Sequence, residues 1–320
     1  MREKIKGMFE RSTDMPKPLR KGMHPFCYSM VALAVVNFII FYIGVNFNSI
    51  LMAFQEFTGY DENYQEQYVY SLANFKRFFK EIKLPNSDIA IAFKNTIRYF
   101  LSNILITIPA SYFVSYLLFK KVKGYAAFRF IFFLPSVISA VVYVTVFKNF
   151  ITVFGPLDTI LSIFGYKLPA LLNSPATATS TIIAYTIWTG LGINMILYEG
   201  AMRRVPTEVL EACKMDGGTW YHELFQIITP LVWPTLSTTL ILAITGLFVS
   251  SGPILLFSEA GTVAGGNDTT TLAFFIFQKT QQGGALEYPA AIGVLFTVAS
   301  LPIVVIVRKL FKKLDPGAEY

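Results

Sequence analysis

Six long apolar runs, almost free of charged side chains, constrain the fold of this chain more than any other feature. They cover residues 27–54, 97–119, 130–147, 180–198, 228–257 and 288–307, and Arg98 is the one charged residue among them. A helix needs about 20 apolar residues to cross the hydrocarbon core of a bilayer. We therefore predict an all-α integral membrane protein with about six transmembrane helices.

The composition agrees with this class. Hydrophobic residues make up 54% of the chain, charged residues 15%, and the mean hydropathy is +0.51. A soluble domain carries about 25% charged residues. The net charge of +7 lies in tails and connections rather than in the apolar runs. We therefore expect membrane lipid around the chain and no nucleic acid partner.

The positions of lysine and arginine predict the orientation. Basic residues are concentrated in the N-terminal tail, after the second and fourth runs, and in the C-terminal tail, which all fall on one side of the membrane. Basic segments favour the cytoplasm. We predict a multi-pass protein of the bacterial cell membrane with three parts. These are a basic cytoplasmic tail (1–25), a transmembrane domain (26–311) and a cytoplasmic tail (312–320).

Two shorter apolar stretches do not fit a full crossing. Residues 157–172 are interrupted by Gly165, Lys167 and Pro169, and residues 271–277 are too short to span. Both lie on the side opposite the termini. We expect them to form interfacial helices there.

No residues suggest catalysis or metal binding. The cysteines, Cys27 and Cys213, are far apart in sequence, and the histidines, His24 and His222, have no neighbouring ligands at metal-site spacing. We predict no catalytic residue, no metal and no cofactor in this chain. An ion-driven carrier keeps an ionisable residue inside the membrane, and the centres of these runs have none. Energy for uphill transport is therefore expected to come from a partner.

The loop after the fourth run, about 203–226, has features of a docking segment. Pro206 and Thr207 suit the start of a helix, which Glu208 and Glu211 favour through the helix dipole. Small residues follow, and Asp216-Gly217-Gly218 is typical of a helix stop. A second short helix would carry Trp220, Leu224 and Phe225. The loop therefore predicts a helix-turn-helix on the cytoplasmic surface.

This loop resembles the EAA loop of binding-protein-dependent ABC importer permeases, which have a MetI-like transmembrane domain. The resemblance rests on Glu211-Ala212, Asp216-Gly217 and prolines 230 and 234. Further residues resemble positions typical of the sugar-permease branch of this family. They are Asn74-Phe75, Asn95-Thr96, the run from Arg129 to Pro135, Trp188, Gly192, Met195, Tyr288 and Ala291.

The resemblance implies a transport subunit without enzymatic activity. It implies that two partner ATPase subunits, which bind ATP and Mg, dock on this loop, and that a second permease and an extracytoplasmic solute-binding protein complete the importer. The residues implied in coupling are Glu208, Glu211, Ala212, Asp216, Gly217 and Gly218. Cys213 and Gly218 depart from the usual pattern, in which alanine is common at both positions.

The solute path is predicted from polar, aromatic and flexible residues of the fourth and fifth runs. These are Trp188, Gly192, Asn194, Thr245, Ser250 and Ser251; helix packing explains each of them as well, and Asn37, Asn46 and Asn48 are further candidates. Hydrogen-bonding groups beside an aromatic face suit a sugar. The alternatives are an ABC permease for another solute, a stand-alone secondary carrier or channel, and a membrane enzyme. Apart from Arg98 at the edge of the second run, the runs contain no Lys or Arg, which favours a neutral solute.

Overall fold

A computed structural model describes residues 23–248, 251, 253–258, 266–283 and 285–314, with side chains from residue 28 onward except those of 266 and 267. The chain divides into two compact units, Met1–Met52 and Ala53–Tyr320. Within the described ranges almost all regular structure is helical, which confirms the predicted fold class. One antiparallel hairpin is the exception.

The first unit contains a long apolar helix. Segments Met23–Asn37, Phe38–Gly44 and Val45–Ala53 follow one another without a break and form α1, whose last residue lies in the second unit; the middle segment is wound as a π-helix. All described side chains of residues 28–50 are exposed within the structure. An apolar helix with no buried face requires lipid or a partner around it. This agrees with the first predicted span.

A β-hairpin follows α1. Strands β1 (Gln55–Tyr60) and β2 (Glu66–Tyr70) pair antiparallel, with Gln55 opposite Tyr70 and Tyr60 opposite Glu66. The side chain of Asp61 accepts hydrogen bonds from two backbone amides of the turn. The sequence predicted only a long loop for these residues, so the hairpin is an addition to the predicted fold.

A short helix, α2 (Ala73–Glu81), carries a charged contact to the start of the last helix. Arg77 Nε lies 2.7 Å from Glu81 Oε1, and the Tyr288 hydroxyl donates to Glu81 at 2.5 Å. Burial alone would raise the pKa of Glu81, but the hydrogen bonds from Tyr288 and Arg77 outweigh it and lower the pKa below its usual range. Tyr288, another residue on which the family resemblance rests, therefore joins α2 to the last helix through its hydrogen bond with Glu81.

The second predicted span is longer than expected. Helix α3 runs over Asp88–Phe119 and begins where the Ser87 hydroxyl accepts from the Ala90 amide. A π-helical turn, Asn103–Thr107, precedes Pro109, which cannot donate a backbone hydrogen bond. The charged residues Asp88, Lys94 and Arg98 all lie in its first half, before this turn.

The prediction of a continuous third span over 130–147 is wrong. Helix α4 (Tyr125–Val137) ends at the extended residues Ile138 and Ser139, and helix α5 (Ala140–Ile151) begins anew. Pro135 removes a backbone donor near the end of α4, which weakens the last turn. Helix α6 (Pro156–Ile163) follows α5 and takes up part of the predicted interfacial stretch 157–172.

The remaining helices follow the sequence order. They are α7 (Pro175–Met202), α8 (Thr207–Met215), α9 (His222–Thr245), the single turn α10 (Ile254–Phe257), α11 (Leu272–Gln281) and α12 (Glu287–Lys313). The predicted fifth span, 228–257, is wrong at its end because the helix stops at Thr245, with Gly246 as its cap. Helix α11 agrees with the predicted short helix at 271–277.

Six helical segments of the described ranges are long and apolar enough to cross a membrane. They are Tyr28–Ala53, Asp88–Phe119, Ala140–Ile163, Pro175–Met202, His222–Thr245 and Glu287–Lys313. The third of them comprises α5, α6 and the short turn between the two helices. In the second unit, α3 and α7 pack closely because small residues separate them. Ser111 and Ser115 are fully buried, and the Ser115 hydroxyl donates to the Met195 carbonyl at 2.9 Å. Small hydroxyl residues typically allow membrane helices to approach closely.

Asn95 and Thr96 of α3 anchor the segment between α10 and α11. The Asn95 side-chain amide donates to the carbonyls of Asp268 (2.6 Å) and Thr270 (3.1 Å). The Thr96 hydroxyl accepts from the Leu272 amide at 3.0 Å. Both side chains are buried. Asn95 and Thr96 are among the residues on which the family resemblance rests. In the structure they form hydrogen bonds with backbone groups of a segment that is distant in sequence.

We predict that Asn95→Leu destabilises the protein. The change removes both hydrogen bonds. The Asp268 carbonyl keeps a bond from the Thr179 hydroxyl at 3.0 Å, but the Thr270 carbonyl loses the Asn95 donor, and an unsatisfied buried group costs about 1–3 kcal/mol. Thermal unfolding of the purified protein in detergent measures the effect. The control is Asn63→Ala at the exposed hairpin turn, which should change stability by less than about 0.5 kcal/mol. Equal effects of the two changes would contradict the anchoring role.

Candidate functional site: the connecting loop and an adjoining cavity

Helix α8 carries the predicted docking residues on its exposed side. Val205 is buried and Pro206 caps the helix, so that the helix begins at Thr207 as expected. Leu210 is buried among apolar residues of α3, α7 and α9. The predicted coupling residues of the helix, Glu208, Glu211 and Ala212, are all exposed. The packing of Leu210 thus holds the helix in place, while its acidic side remains exposed.

The turn after α8 has the geometry predicted for Gly217. Its φ is +75°, in the left-handed region that glycine adopts without strain. The Gly217 amide donates to the Lys214 carbonyl at 3.1 Å, and the Gly218 amide donates to the Cys213 carbonyl at 2.8 Å. These two bonds form a Schellman motif, which satisfies carbonyls at the end of a helix. Asp216, the cap residue, is exposed.

Cys213 and Gly218, the two residues that depart from the usual EAA pattern, are in contact with each other. A Cβ atom added at Gly218 would lie 2.4 Å from the Cys213 sulfur and 2.7 Å from the Cys213 carbonyl oxygen. Both distances are too short for real atoms. Glycine at 218 therefore accommodates cysteine at 213, and the pair keeps the turn compact.

The second half of the loop runs directly into the fifth span. A π-helical turn, His222–Ile228, continues into Thr229–Thr245, so the predicted second short helix is the first part of α9. Leu224 and Ile228 are buried, whereas Trp220, Tyr221 and Phe225 are exposed. Exposed apolar and acidic side chains thus lie together on the loop. We call this set the loop surface: Glu208, Glu211, Ala212, Met215, Asp216, Trp220, Tyr221 and Phe225.

Two buried carboxylates hold the loop and its flanks. Glu199, near the end of α7, is 2% exposed and lies 2.8 Å from Arg129 of α4 and 2.7 Å from Arg203. Glu223, in the first turn of α9, lies 2.8 Å from Lys120 at the end of α3. Sequence reasoning missed both, because it ended the fourth span at residue 198 and assigned no role to residue 223. An acid four residues before Arg203 was the available signal for Glu199.

A cavity of about 290 Å³ lies between α3, α7 and α9. Its volume is close to the lower end of the range for small-molecule sites. Polar groups in its lining come from Thr96, Tyr99, Asn103, Thr186 and Thr271, and none of the residues that line it is charged. The Tyr99 hydroxyl is buried and finds no hydrogen-bond partner among the described residues. The hydroxyl has almost no accessible surface, so it could reach a ligand only after a movement of the surrounding helices.

The predicted path residues lie around this cavity rather than in it. Gly190, one turn from Asn194, lines the cavity, and the Asn194 amide donates to its carbonyl at 3.3 Å. Trp188 lines a separate, mostly apolar groove of about 550 Å³ with Phe147 and Leu157. The Thr245 hydroxyl donates to the Ile241 carbonyl.

The other predicted path positions have different surroundings. A Cβ atom at Gly192 would lie 2.3 Å from the Phe132 carbonyl oxygen, so this glycine permits close packing of α7 on α4. Ser251 is half-buried, and Ser250 lies outside the described residues. Asn37, Asn46 and Asn48 are exposed on α1.

The fold and the loop define a class of protein. Long apolar helices enclose a mostly apolar cavity whose lining includes polar but no charged residues, and the loop that leads into one of the cavity-lining helices has an exposed surface. The described residues contain no group of three or more His, Cys, Asp or Glu side chains that could hold a metal. This arrangement is that of a membrane transport component.

Comparison with known proteins identifies the family. Residues 107–320 match the family described as binding-protein-dependent transport system inner membrane component, and the chain belongs to this family. It is therefore a multi-pass membrane protein that acts as a permease subunit of an ABC importer, and the family is one of transport subunits rather than enzymes. This confirms the family resemblance and the interpretation as a transport subunit.

Three similar proteins illustrate the relationship. The chain is 24% identical over 268 residues to the probable ABC transporter permease protein YesP of Bacillus subtilis, covering 82% of this chain and 83% of YesP. It is 24% identical over 293 residues to the arabinooligosaccharides transport system permease protein AraP of the same organism, covering 88% and 87%. It is 27% identical to the maltose/maltodextrin permease MalF of Escherichia coli, covering 66% of this chain and 42% of MalF.

A solved structure has the same fold. The crystal structure of a bacterial ABC transporter involved in the import of the acidic polysaccharide alginate aligns with a TM-score of 0.76 at 20% identity, covering 92% of this chain and 98% of that chain. A second structure of a bacterial alginate ABC transporter, in complex with an alginate pentasaccharide-bound periplasmic protein, aligns with a TM-score of 0.77. At this identity the likeness establishes the fold.

We predict opposite effects for two glycine-to-alanine changes, at positions where an added Cβ meets no atom within 4 Å. Gly217→Ala places alanine at a left-handed φ and should cost about 1–2 kcal/mol. Gly200→Ala, in the last turn of helix α7, should be neutral or stabilise by up to about 1 kcal/mol. Limited proteolysis at the loop and thermal unfolding measure both. Similar effects of the two changes would contradict the turn geometry.

Proposed function

We propose that this chain is the permease subunit through which an ATP-driven importer moves a saccharide across the bacterial cell membrane. A second permease forms the pathway with it. Two ATPase subunits, which bind ATP and Mg, dock on the loop surface, and an extracytoplasmic binding protein delivers the solute. Both termini and the loop lie in the cytoplasm. Alternating access of the cavity, driven by ATP hydrolysis in the partners, moves the solute.

The chemistry of the cavity supports a saccharide. Its lining supplies hydroxyl and amide groups with the aromatic rings of Tyr99 and Phe100, and no charged side chain. Sugars present hydroxyl groups and apolar faces that such a lining can bind. The names of AraP and MalF refer to arabinooligosaccharides and to maltose/maltodextrin. A neutral saccharide fits this lining better than a phosphate ester, which would require basic groups.

The exposed chemistry of the loop supports ATPase docking. Glu208, Glu211 and Asp216 surround exposed apolar groups, of which Met215 is 87% exposed and Trp220 57%. Exposed apolar side chains beside charges are typical of protein interaction sites. Gly217 and Gly218 keep the turn small. These residues remain the proposed coupling set.

The orientation follows from the basic residues. Lys120, Lys121 and Lys123 lie at the loop end of α3, and Lys309 and Lys313 lie near the end of α12. The Trp233 indole N–H of α9 donates to the Phe311 carbonyl near the end of α12 at 3.2 Å, which supports placing the end of α12 on the side from which the loop enters α9. Positive residues favour the cytoplasmic side. The same rule supports cytoplasmic termini.

A solute panel tests the substrate class. We expect neutral oligosaccharides, presented by the cognate binding protein, to stimulate ATP hydrolysis by the reconstituted complex, and amino acids or phosphate esters to have no effect. Stimulation by a non-sugar solute alone would support a permease of the same family for that solute. Uptake by this chain without ATPase subunits would support a stand-alone carrier.

We predict that Tyr99→Phe weakens transport without weakening the fold. The Tyr99 hydroxyl has no partner among the described residues, so its removal leaves no protein group unsatisfied. If the hydroxyl binds the solute, its loss costs about 0.5–1.5 kcal/mol, or roughly 2- to 13-fold in apparent affinity. Concentration-dependent uptake and thermal unfolding separate the two effects. The control is Tyr166→Phe at an exposed position. Unchanged affinity in both variants would exclude a role for this hydroxyl.

We predict that Glu211→Lys abolishes coupling. The charge reversal costs the short helix only about 0.3–1 kcal/mol through its dipole, which is too little to unfold the protein. A mismatched charge at a docking contact costs several kcal/mol. ATPase subunits should therefore fail to co-purify with the variant, and uptake should be lost. The matched control is Glu62→Lys, an exposed residue of the hairpin, which should retain the ATPase subunits. Normal co-purification and uptake by Glu211→Lys would refute ATPase docking at this position.

A further inference from the structure

One face of α3 makes polar contacts with the second half of the loop. Tyr112, Tyr116 and Lys120 are spaced four residues apart, so they lie along one side of the helix. The Tyr112 hydroxyl lies 2.9 Å from the Thr229 hydroxyl, and the Tyr116 hydroxyl donates to the Trp220 carbonyl at 3.5 Å. Lys120 continues this face to the end of the helix.

The contact of Lys120 is the charged one. Its ammonium group donates to both carboxylate oxygens of Glu223, at 2.8 and 2.9 Å. Glu223 is 5% exposed. A buried carboxylate that loses its counter-charge is strongly unfavourable, and charge-assisted hydrogen bonds are stronger than neutral ones. The end of α3 and the first turn of α9 are therefore expected to move together.

The two helices joined by this ion pair also line the cavity. Thr96, Tyr99 and Asn103 of α3 line one side, and Leu242 and Ala243 of α9 line another. Helix α9 continues from the loop through its own backbone, so displacement of the loop moves it directly. Helix α3 has no covalent connection to the loop at this end. It contacts the loop through apolar packing on Leu210 and Leu224 and through the polar groups of Lys120 and the two tyrosines, of which Lys120 makes the charged contact.

We propose that Lys120 and Glu223 are positioning residues that transmit movement of the loop to α3, so that both helices of the cavity respond to the ATPase subunits. This inference rests on the proposed docking of those subunits on the loop. The ion pair lies behind the loop surface, since Glu223 is buried whereas Glu211 and Asp216 are exposed. Loss of the pair should leave the docking side chains in place and interrupt the movement that docking produces in α3.

The test uses the whole complex in proteoliposomes with four variants of this chain. Lys120→Met and Glu223→Gln each remove one charge, the double variant Lys120→Glu with Glu223→Lys restores a reversed pair, and Lys120→Arg conserves the charge. The control is Lys123→Met, an exposed lysine three residues away. Co-purified ATPase subunits, ATP hydrolysis with and without solute-loaded binding protein, and uptake per ATP are measured together with thermal unfolding.

We expect both single variants to retain the ATPase subunits and basal ATP hydrolysis. Solute stimulation and uptake per ATP should fall by at least about fivefold, the lower end of typical coupling between sites. The reversed pair and Lys120→Arg should recover most of this loss, and Lys123→Met should behave as the wild type.

Two results would overturn the proposal. Wild-type coupling in both single variants would show that the pair transmits nothing. A parallel loss of melting temperature, subunit association and uptake that the reversed pair does not recover would show a purely structural pair. Failure of the wild-type chain to bind ATPase subunits would instead refute the docking on which the inference rests, and the inference with it.

Discussion

The exclusion of charge from the hydrocarbon core is the constraint on which the rest of this structure depends. Charges within a bilayer are costly unless they are paired or reach water. In the described residues two buried carboxylates near the loop, Glu199 and Glu223, lie at the ends of the spans and are paired with partly exposed basic residues, Arg129 and Arg203 for Glu199 and Lys120 for Glu223. The middle of the second unit is held by apolar packing and by hydroxyl groups such as Ser111 and Ser115. This distribution supports the proposal that the permease receives its energy through the loop.

The loop combines a fixed side and a free side. Leu210, Leu224 and Ile228 are buried in the core that α3, α7 and α9 form, and Glu223 is paired there. Glu208, Glu211 and Asp216 face outward. A segment held in this way can pass a force from a docked partner to the helices that line the cavity. The left-handed turn at Gly217 allows the two halves of the loop to meet at close range.

The sequence was sufficient to predict the fold class, most of the apolar segments, and the helix and left-handed turn of the loop, because hydropathy and turn chemistry are local properties. Span ends were less predictable. Residues 130–147 are apolar throughout, but the backbone breaks at Ile138 and Ser139, which apolarity alone does not indicate. The cavity could not be predicted because it is formed by α3 together with α7 and α9, and Tyr99 has no distinguishing sequence signal. The roles of Asn95 and Glu199 likewise depend on partners distant in sequence.

Hydrogen–deuterium exchange of the reconstituted complex, with and without its ATPase subunits, tests most directly whether the loop is the point of energy input. The account predicts that backbone amides of residues 207–220 exchange more slowly when the ATPase subunits are bound, whereas those of the hairpin, 55–70, do not change. Protection that appears elsewhere while the loop remains unchanged would contradict it.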